Sequence, residues 1–386
     1  MSIKDLNKIM NEINKAMGSN ASPIRVLSDV EPYDIVSTSS LSLDHAIGIG
    51  GLPMRRVIEF IGDPGSGKTT LALSVANEVL NTYPDGAVLY IDIENRLEIN
   101  WVKKFVKDID RFVVSQPEDA EEAVDLYRKA ARTGMFRLII WDSIGGAPTR
   151  AAFAKEAEKG VFAGNSQIIT HLARYAQSLT NKYNHMFIGI NQERVDMSGY
   201  LQLTGPGGKA WVYACSVRVH VKRGPKSTGT VYMIDESDKQ VKGADGKPIP
   251  IGYQVFTKIV KSSVGSPGRV GEYWFYNQEN KYGFGIDHVD EVSRLAIATG
   301  VVERAGGWLR HPLIPNGQIN GQSKFLSLLN DEPDLLRQFS ELTSQIMKSG
   351  AVDMSEIVPM TDPDIMLSDE ESPRQKTLQQ LKDENN

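Results

Sequence analysis

The stretch 57-VIEFIGDPGSGKTTLAL-73 decides the fold, because it joins an apolar run to a helical pattern through a glycine-rich turn. Its centre, 62-GDPGSGKT-69, fits the pattern G-x-x-x-x-G-K-[ST], in which backbone N–H groups surround a phosphate. Lys68 would reach the terminal phosphates of a nucleotide, and Thr69 would offer its hydroxyl to Mg²⁺. The first turn of the following helix adds a favourable dipole. An accidental match is the alternative, which the strand before and the helix after the turn disfavour. The residues predicted to bind the nucleotide here are Gly62, Asp63, Pro64, Gly65, Ser66, Gly67, Lys68, Thr69 and Thr70.

Around this turn, apolar strand-like runs alternate with helical patterns from about residue 35 to about residue 265. The strand-like runs are 57–61, 87–93, 111–115, 137–142, 186–191 and 216–221, and the helical patterns are 68–80, 118–133 and 165–181. Such alternation predicts an α/β core with a mostly parallel central sheet and helices on both faces. Residues 222–250 predict a β-hairpin excursion with a tight turn at Asp245-Gly246.

Acidic side chains end two of the predicted strands. Asp142 ends 137-RLIIWD-142, which is where a carboxylate that holds Mg²⁺ follows a P-loop, although an aspartate there can also be a simple cap. The run 88-VLYIDIENR-96 ends with Asp92 and Glu94, which lie on the same side of their strand. Glu94, further out, is the candidate base that orients and deprotonates water for attack on the γ-phosphate. Asp92 is predicted to be structural.

An amide ends a third strand. Gln192 closes the apolar run 186-MFIGIN-191 and is followed by the glycine-rich segment 193–208. In a parallel sheet, the carboxyl ends of the strands open on one crevice, where ligands bind. An amide there can donate to a γ-phosphate oxygen, and hydrolysis removes that acceptor. We therefore predict that Gln192 senses the γ-phosphate and that 193–208 is the switched element, with a capping amide as the alternative.

The bulk composition is that of a globular protein. The chain has 386 residues, 41% hydrophobic and 24% charged, which is enough for a large domain and one or two small ones. No apolar run approaches the length of a membrane span, and the amphipathic N-terminus lacks the apolar stretch of a signal peptide. A single cysteine, Cys215, excludes an internal disulfide. We expect a cytoplasmic protein.

Charge is unevenly distributed along the chain. The net charge is −5, and the nine acids and three bases of residues 351–386 contribute −6, which leaves +1 for the remainder. The stretch 208-GKAWVYACSVRVHVKRGPK-226 carries five Lys or Arg residues and no acid. It is either a nucleic-acid contact or a solvated strand face.

Together these pieces resemble the RecA family of DNA recombinases over most of the chain. The stretches that carry the resemblance are 37-STSSLSLDHAIGIGGLPMRRVIEFIGDPGSGKTTLAL-73, 88-VLYIDIEN-95, 115-SQPEDAEEA-123, 141-WDSIGGAP-148, 189-GINQ-192, 207-GGKAWVYACSVRV-219 and 292-VSRLAIATGVVERAGGW-308. The resemblance implies a RecA-type P-loop NTPase core with an N-terminal packing helix and a small C-terminal α/β domain. The implied segments are 1–34 (oligomerisation helix and linker), 35–270 (ATPase core with DNA-binding loops), 271–350 (small domain) and 351–386 (acidic, disordered tail).

The N-terminal and C-terminal segments have their own patterns. The helical stripe of residues 3–17 could pack on its own domain or on a neighbouring subunit, and the resemblance favours the neighbour. Residues 288–301 and 323–346 carry helical stripes of the small domain. The segment 361–386 is polar and acidic, with few large apolar residues.

The resemblance also assigns roles to nucleotide-site residues. Glu94 matches the family's catalytic glutamate, Asp142 its Walker B acid, and Gln192 the glutamine that links ATP to DNA. Glu98 and Trp101 fall where the family contacts adenine.

Two segments match the DNA-binding loops of the family: 155-KEAEKGVFA-163 is the first loop and 193–208 the second. The residues implied to contact DNA, without reading its bases, are Arg194, Gly207, Gly208, Lys209 and Arg218.

Some positions depart from the family pattern. Lys261 matches the first of two lysines that reach across the subunit interface to the neighbour's ATP, but Ser263 stands at the second. Val212 replaces an interface lysine, and Tyr213 a phenylalanine involved in subunit communication. These departures predict a divergent member, for which a phage or plasmid origin is one explanation.

The resemblance implies a DNA-dependent ATPase that uses ATP and Mg²⁺ to form homo-oligomeric filaments on single-stranded DNA. It would pair that strand with homologous duplex and exchange strands, without a membrane partner. The alternatives are a RecA-fold ring helicase or DNA motor, and an ATP-binding recombination mediator. A helicase does not predict the match at 292–308, and the intact Glu94 disfavours a mediator without turnover.

Overall fold

The structure is a computed structural model and describes residues 3–18, 24–29, 32, 34–146, 148–150, 165–195, 201–202, 207–235, 239–280 and 283–349. The chain divides into two units, residues 1–34 and residues 35–386. Within the first unit, the predicted helix is present as α1, Ile3–Met17. Asn14 in α1 exchanges hydrogen bonds with the backbone of Ile24.

Regular elements in the second unit follow the predicted alternation. The described helices are α2 Leu41–Ile47, α3 Lys68–Thr82, α4 Ile99–Phe105, α5 Ala120–Arg132, α6 Asn165–Lys182, α7 Gly208–Ala214, α8 His288–Ala298, α9 Gln322–Asp331 and α10 Pro333–Ser349. The described strands are β1 Ile35–Val36, β2 Leu52–Pro53, β3 Val57–Gly62, β4 Ala87–Asp92, β5 Phe112–Ser115, β6 Phe136–Asp142, β7 Met186–Gln192, β8 Arg194–Val195, β9 Leu201–Gln202, β10 Val217–Arg223, β11 Thr230–Tyr232, β12 Pro250–Ser262, β13 Val270–Asn280, β14 Gly283–Ile286, β15 Glu303–Ala305, β16 Trp308–Arg310 and β17 Gln318–Asn320.

The central sheet has the strand order β14–β13–β12–β10–β3–β7–β6–β4–β5, with β11 paired to β12. From β10 to β5 all neighbours in this order are parallel, and the pairs that involve β11 to β14 are antiparallel. The prediction of a mostly parallel sheet is therefore confirmed. Parallel strands need crossover connections, and α3, α5 and α6 supply them.

Both faces of the sheet are buried. Along β3, Ile58 and Phe60 join the hydrophobic cluster on one face, and Val57 joins the cluster on the other. The same alternation holds in β4, where Tyr90 and Ile91 face opposite clusters. Continuous apolar runs in the sequence therefore correspond to strands that bury both faces.

The hairpin excursion forms as predicted. Val241 to Ile249 closes on itself through the bridge between Lys242 and Pro248, and Gly246 at the tight turn has φ +75°. The second loop, 193–208, contains short strands where the structure describes it. Its described residues form a small antiparallel pair, β8 with β9.

Residues of the predicted small C-terminal domain form a hydrophobic cluster of their own. Its centre includes Phe325 and Phe339, whose rings meet edge to face with centroids 5.3 Å apart. The predicted helical stripe over 323–346 is helical but divided into two helices: α9 ends at Asp331 and α10 begins at Pro333, because proline cannot continue the hydrogen-bond ladder of a helix. The predicted boundary at 270 also falls inside the central sheet, which continues through β13 and β14.

No helix among the described residues is both long and apolar enough to cross a membrane.

Gly189 in the centre of β7 provides a test of the packing. A Cβ atom built there would lie 2.4 Å from Cζ2 of Trp211 and 2.9 Å from Cδ1 of Ile144. We expect Gly189→Ala to lower the free energy of unfolding by about 1–3 kcal/mol, because the core would be overpacked. Thermal unfolding measures this loss.

The matched control is Gly307→Ala. The nearest atom to a Cβ built at Gly307 is Oδ1 of Asn320, at 3.4 Å. Equal melting temperatures for both variants would contradict the placement of the Trp211 indole over β7.

Candidate nucleotide and DNA site

The glycine-rich turn joins β3 to α3 as predicted. Gly65 and Gly67 have φ values of +75° and +104°, a region that glycine occupies without strain. A Cβ atom on Gly62 would lie 2.1 Å from the carbonyl oxygen of Val221, so this position has no room for a side chain. Because α3 begins at Lys68, the free N–H groups of its first turn point into the turn, as anion binding requires.

Two side chains of this turn fit phosphate. Lys68 is 7% exposed, and its Nζ donates to the carbonyl oxygens of Gly62 at 2.8 Å and Asp63 at 2.7 Å. Burial lowers the pKa of Lys68. Ser66 Oγ is buried and has no hydrogen-bond partner among the described residues. A buried hydroxyl of this kind requires an acceptor or donor, and a phosphate oxygen would satisfy it.

Thr69 and Asp142 are brought together from α3 and β6. Thr69 Oγ1 donates to Asp142 Oδ2 at 3.0 Å, and the hydroxyl of Tyr90 donates to the same oxygen at 2.6 Å. Burial raises the pKa of Asp142, and these two hydrogen bonds oppose the rise. Tyr90 was not predicted, although its position two residues before Asp92 places both on one side of β4.

This pair could hold Mg²⁺ together with phosphate oxygens and water. Magnesium in phosphate-transfer sites uses one or two protein oxygens and keeps several waters. Within the described ranges, no group of three or more His, Cys, Asp or Glu side chains is arranged to hold a metal. A site built from Thr69 and Asp142 fits Mg²⁺ that is bound together with a nucleotide.

The register of the strands places the predicted site residues side by side at the strand ends. Asp92 lies opposite Asp142, and Gly62 lies opposite Gln192. The carboxyl ends of β3, β4, β6 and β7 therefore meet at one edge of the sheet. A cavity of about 460 Å³ at this edge is lined by residues that include Glu94, Ser143 and Gln192.

Glu94 is held by three side chains. Its Oε1 accepts hydrogen bonds from Ser143 Oγ and, at 3.4 Å, from Gln192 Nε2. Its Oε2 lies 2.9 Å from Nη1 of Arg96, whose side chain is largely exposed. The predicted base and the predicted sensor are thus in direct contact, and Arg96 is a partner that the sequence reasoning missed.

Asp92 has the structural position predicted for it. It is buried, and its carboxylate accepts from the backbone N–H groups of Arg96 and Leu97 and from Nε2 of Gln116. These contacts fix the turn that carries Glu94.

The two predicted adenine contacts lie on α4. Glu98 caps this helix by accepting from the N–H of Asn100 at 3.2 Å. The ring of Trp101 packs edge-on against Phe105 and Phe284, and Lys104 Nζ lies 5.4 Å from the ring centroid of Trp101. The indole is half-buried, so part of it is accessible to a base.

The DNA-binding loops are described only in part. The first predicted loop, 155–163, lies outside the described residues, as do 196–200 and 203–206 of the second. Arg194 is in β8. Gly207 and Gly208 have φ values of +109° and +58° and begin α7, and Lys209 in its first turn is exposed.

Arg218, predicted to contact DNA, is almost fully buried. Its side chain is 5% exposed on β10 and pairs with Glu59 of β3, which is fully buried. A buried charge needs such a partner, and the acid inside the apolar run 57-VIEFI-61 was the signal for it. We assign Arg218 to this ion pair instead of to DNA.

Lys261 is held within its own subunit. Its Nζ donates to the carbonyl oxygens of Val212 and Cys215, both at 2.7 Å, at the end of α7. Ser263, the departure from the family pattern, donates to the carbonyl of Ser216 at 3.3 Å.

Glu193, the first residue of the second loop, is a further residue that was not predicted. Its Oε2 lies 2.9 Å from Nε2 of His220 on β10. Burial and a hydrogen bond with Asp63 of the glycine-rich turn raise the pKa of Glu193 to about 7. The first residue of the second loop, Glu193, therefore contacts Asp63 of the phosphate-binding turn.

Comparisons with known proteins identify the relatives of this chain. A family profile described as the RecA N-terminal domain matches residues 4–273. A protein named RecA from Ruminococcus albus is 32% identical over 343 residues, which is 88% of this chain and 78% of the relative. One from Sulfurimonas denitrificans is 30% identical over 328 residues, which is 84% of this chain and 88% of the relative. One from Thermus thermophilus is 28% identical over 358 residues, which is 90% of this chain and 95% of the relative.

Proposed function

The chain belongs to the RecA family, and from this premise we propose that it is an ATP-dependent recombinase that forms filaments on single-stranded DNA. In these filaments it pairs the bound strand with homologous duplex and exchanges strands. It acts as a DNA-dependent ATPase in the cytoplasm and uses Mg²⁺ with the nucleotide.

The observation that carries this proposal is the contact between Gln192 and Glu94, with Nε2 and Oε1 3.4 Å apart. Gln192 is the last residue before the second loop, and Glu94 is the candidate base. A change in the partner of Gln192 therefore affects the catalytic carboxylate and the start of the loop together. This is the geometry that a nucleotide-controlled DNA-binding loop requires.

The remaining residues of the site divide the work. The turn 62–69 and Lys68 bind and neutralise the phosphates, while Thr69 and Asp142 hold Mg²⁺. When bound, Mg²⁺ offsets the charge that develops on the phosphate oxygens. Glu94, oriented by Ser143, holds a water molecule in line for attack and accepts its proton.

Contacts to DNA are proposed to be made by the second loop and the start of α7. Lys209 is exposed there, and the N–H groups of Gly207 and Gly208 precede it. Arg194, at the other end of the loop, is the fourth candidate. Contacts of this kind bind phosphates and carry no base preference, since base pairing supplies the sequence recognition.

The direct test of this function is negative-stain electron microscopy with single-stranded DNA and a slowly hydrolysed ATP analogue. We expect continuous helical filaments that do not form with ADP. Closed rings threaded by DNA would favour the helicase or motor instead. Isolated particles without polymer would favour the mediator.

The acidic C-terminal tail provides a further prediction. Residues 362–386 carry a net negative charge, whereas the net charge of the residues before them is close to zero. The tail can therefore compete with DNA for basic side chains on the protein surface. We expect deletion of 362–386 to tighten binding to duplex DNA, measured by fluorescence anisotropy at low salt, and the gain to fall as salt rises.

The matched control keeps the tail length and replaces its acids by the corresponding amides. This variant should behave like the deletion. Unchanged duplex affinity in both variants would contradict the competition.

A further inference from the structure

A buried carboxylate in the strand that leads to the phosphate-binding turn contacts both ends of the second loop. Glu59 on β3 is 0% exposed. Its Oε1 accepts from Nδ2 of Asn191, just before the loop, at 2.8 Å. The same oxygen accepts from Nε1 of Trp211, just after the loop, at 2.8 Å. One atom therefore joins the residues on either side of the 16-residue segment 193–208.

Residues on both neighbouring strands compensate the charge of Glu59 and leave room for its partners. In the sheet register, Glu59 lies between Arg218 on β10 and Gly189 on β7. Arg218 Nε donates to the other carboxylate oxygen, Oε2, so the buried charge is compensated. Gly189 leaves the space that the Trp211 indole occupies, because any Cβ there would collide with it.

The contacts continue from this carboxylate in both directions. Asn191 Oδ1 accepts from the backbone N–H of Gln192 at 3.0 Å, which connects Glu59 to the proposed γ-phosphate sensor. On the other side, Trp211 lies in α7, and the end of α7 is bound by Lys261. Lys261 is the residue that matches a subunit-interface lysine.

Hydrogen bonds to a buried charge are strong, and leaving one unmade is costly. A displacement of Asn191 that left Trp211 behind would break one of the two bonds on Oε1. The two ends of the loop are therefore expected to move as a unit.

From this geometry we infer that Glu59 is a positioning residue that makes both ends of the DNA-binding loop respond together to the partner of Gln192. The nucleotide state would then reach α7 as well as the loop. This inference rests on the proposed function, because it assumes that the second loop binds single-stranded DNA under nucleotide control.

The main test uses Trp211→Phe, which removes the N–H donor and keeps an aromatic ring in the core. The measurement is the affinity for fluorescent oligo(dT) with a slowly hydrolysed ATP analogue and with ADP. We expect the ratio of the two Kd values to fall by at least about tenfold, the lower end of the factor that corresponds to one hydrogen bond to a charged group. The affinity for a fluorescent ATP analogue should not change. Trp274→Phe, a buried tryptophan on β13, is the matched control and should keep the wild-type ratio.

A second variant, Glu59→Gln, tests the carboxylate itself. An amide has one oxygen and cannot accept from Arg218 and from the Asn191–Trp211 pair at once. We expect the ratio of the oligo(dT) Kd values to fall by a similar factor in Glu59→Gln. Adding Trp211→Phe should not lower the ratio further, because both changes act on the same contact.

The outcomes separate the inference from the function it rests on. The role of Glu59 would be overturned if Trp211→Phe kept the wild-type ratio of the oligo(dT) Kd values. It would also be overturned if the double variant lowered that ratio by the combined effect of the two single variants. Neither outcome would affect the proposed recombinase function. Wild-type protein with equal oligo(dT) affinity in both nucleotides would overturn the proposed function, and this inference with it. If Glu59→Gln does not fold, Trp211→Phe alone decides the question.

Discussion

Glu94→Gln is expected to lower ATP turnover by about 10²–10⁴-fold, the usual contribution of a general base, while ATP binding and filament assembly persist. The substitution keeps the shape of the side chain, and its amide oxygen can still accept from Ser143 and Gln192. Arg96, whose side chain is 78% exposed, can turn into solvent when it loses its charged partner. The site should therefore remain assembled without the group that takes the proton from water.

Phosphate release at saturating single-stranded DNA measures the turnover, and a fluorescent ATP analogue measures binding. The matched control is Glu341→Gln, an exposed acid on α10 whose Oε1 lies 3.6 Å from Nη1 of the exposed Arg337. It should keep wild-type turnover, since exposed ion pairs contribute little. Turnover of Glu94→Gln within a factor of about ten of wild type would be too small a loss for a general base and would refute the assignment.

The second large effect is expected for Gln192→Ala. Removing this amide should lower the ratio between the oligo(dT) Kd values in ADP and in a slowly hydrolysed ATP analogue by about 10–100-fold, because a hydrogen bond to a charged group is worth about 1.5–3 kcal/mol. ATP binding should persist, since the turn 62–69 and Lys68 make the main phosphate contacts. The protein would then bind DNA in a way that no longer depends on the nucleotide.

Fluorescence anisotropy with each nucleotide measures this ratio. Gln278→Ala, at an exposed glutamine on β13, is the control and should retain the wild-type ratio. A Gln192→Ala protein with the full wild-type ratio would show that the amide only caps its strand, the alternative that the sequence left open.

The sequence alone predicted the parts of the site that depend on local pattern. The turn 62–69 could be identified because the chemistry of phosphate binding requires glycines, a lysine and a hydroxyl at fixed spacing within one strand–turn–helix unit. Asp142, Glu94 and Gln192 could be predicted because each follows an apolar run, and parallel strands bring such ends to one edge. The structure places all of them there, with Gln192 in contact with Glu94.

Long apolar runs predicted strands but left finer divisions open. The helical stripe over 323–346 continues across Pro333, so the pattern suggested one helix where the backbone forms α9 and α10. The boundary at 270 was wrong for a related reason: β13 and β14 carry the patterns of strands, and only pairing with β12 shows that they extend the central sheet.

What the sequence determined by itself is therefore the nucleotide-binding turn, the strand-end acids and amide, and the family to which they point. Only the tertiary structure decided the partners of Glu59, Arg218 and Lys261. The basic stretch 208–226 is equally consistent with an Arg218 that contacts DNA. The register of β10 against β3 places Arg218 beside Glu59 instead. The physical reason is that a motif consists of residues close together in the sequence, so its pattern can be recognised there. The partner of a buried charge can be distant in the sequence, as Arg218 and Glu59 are, 159 residues apart.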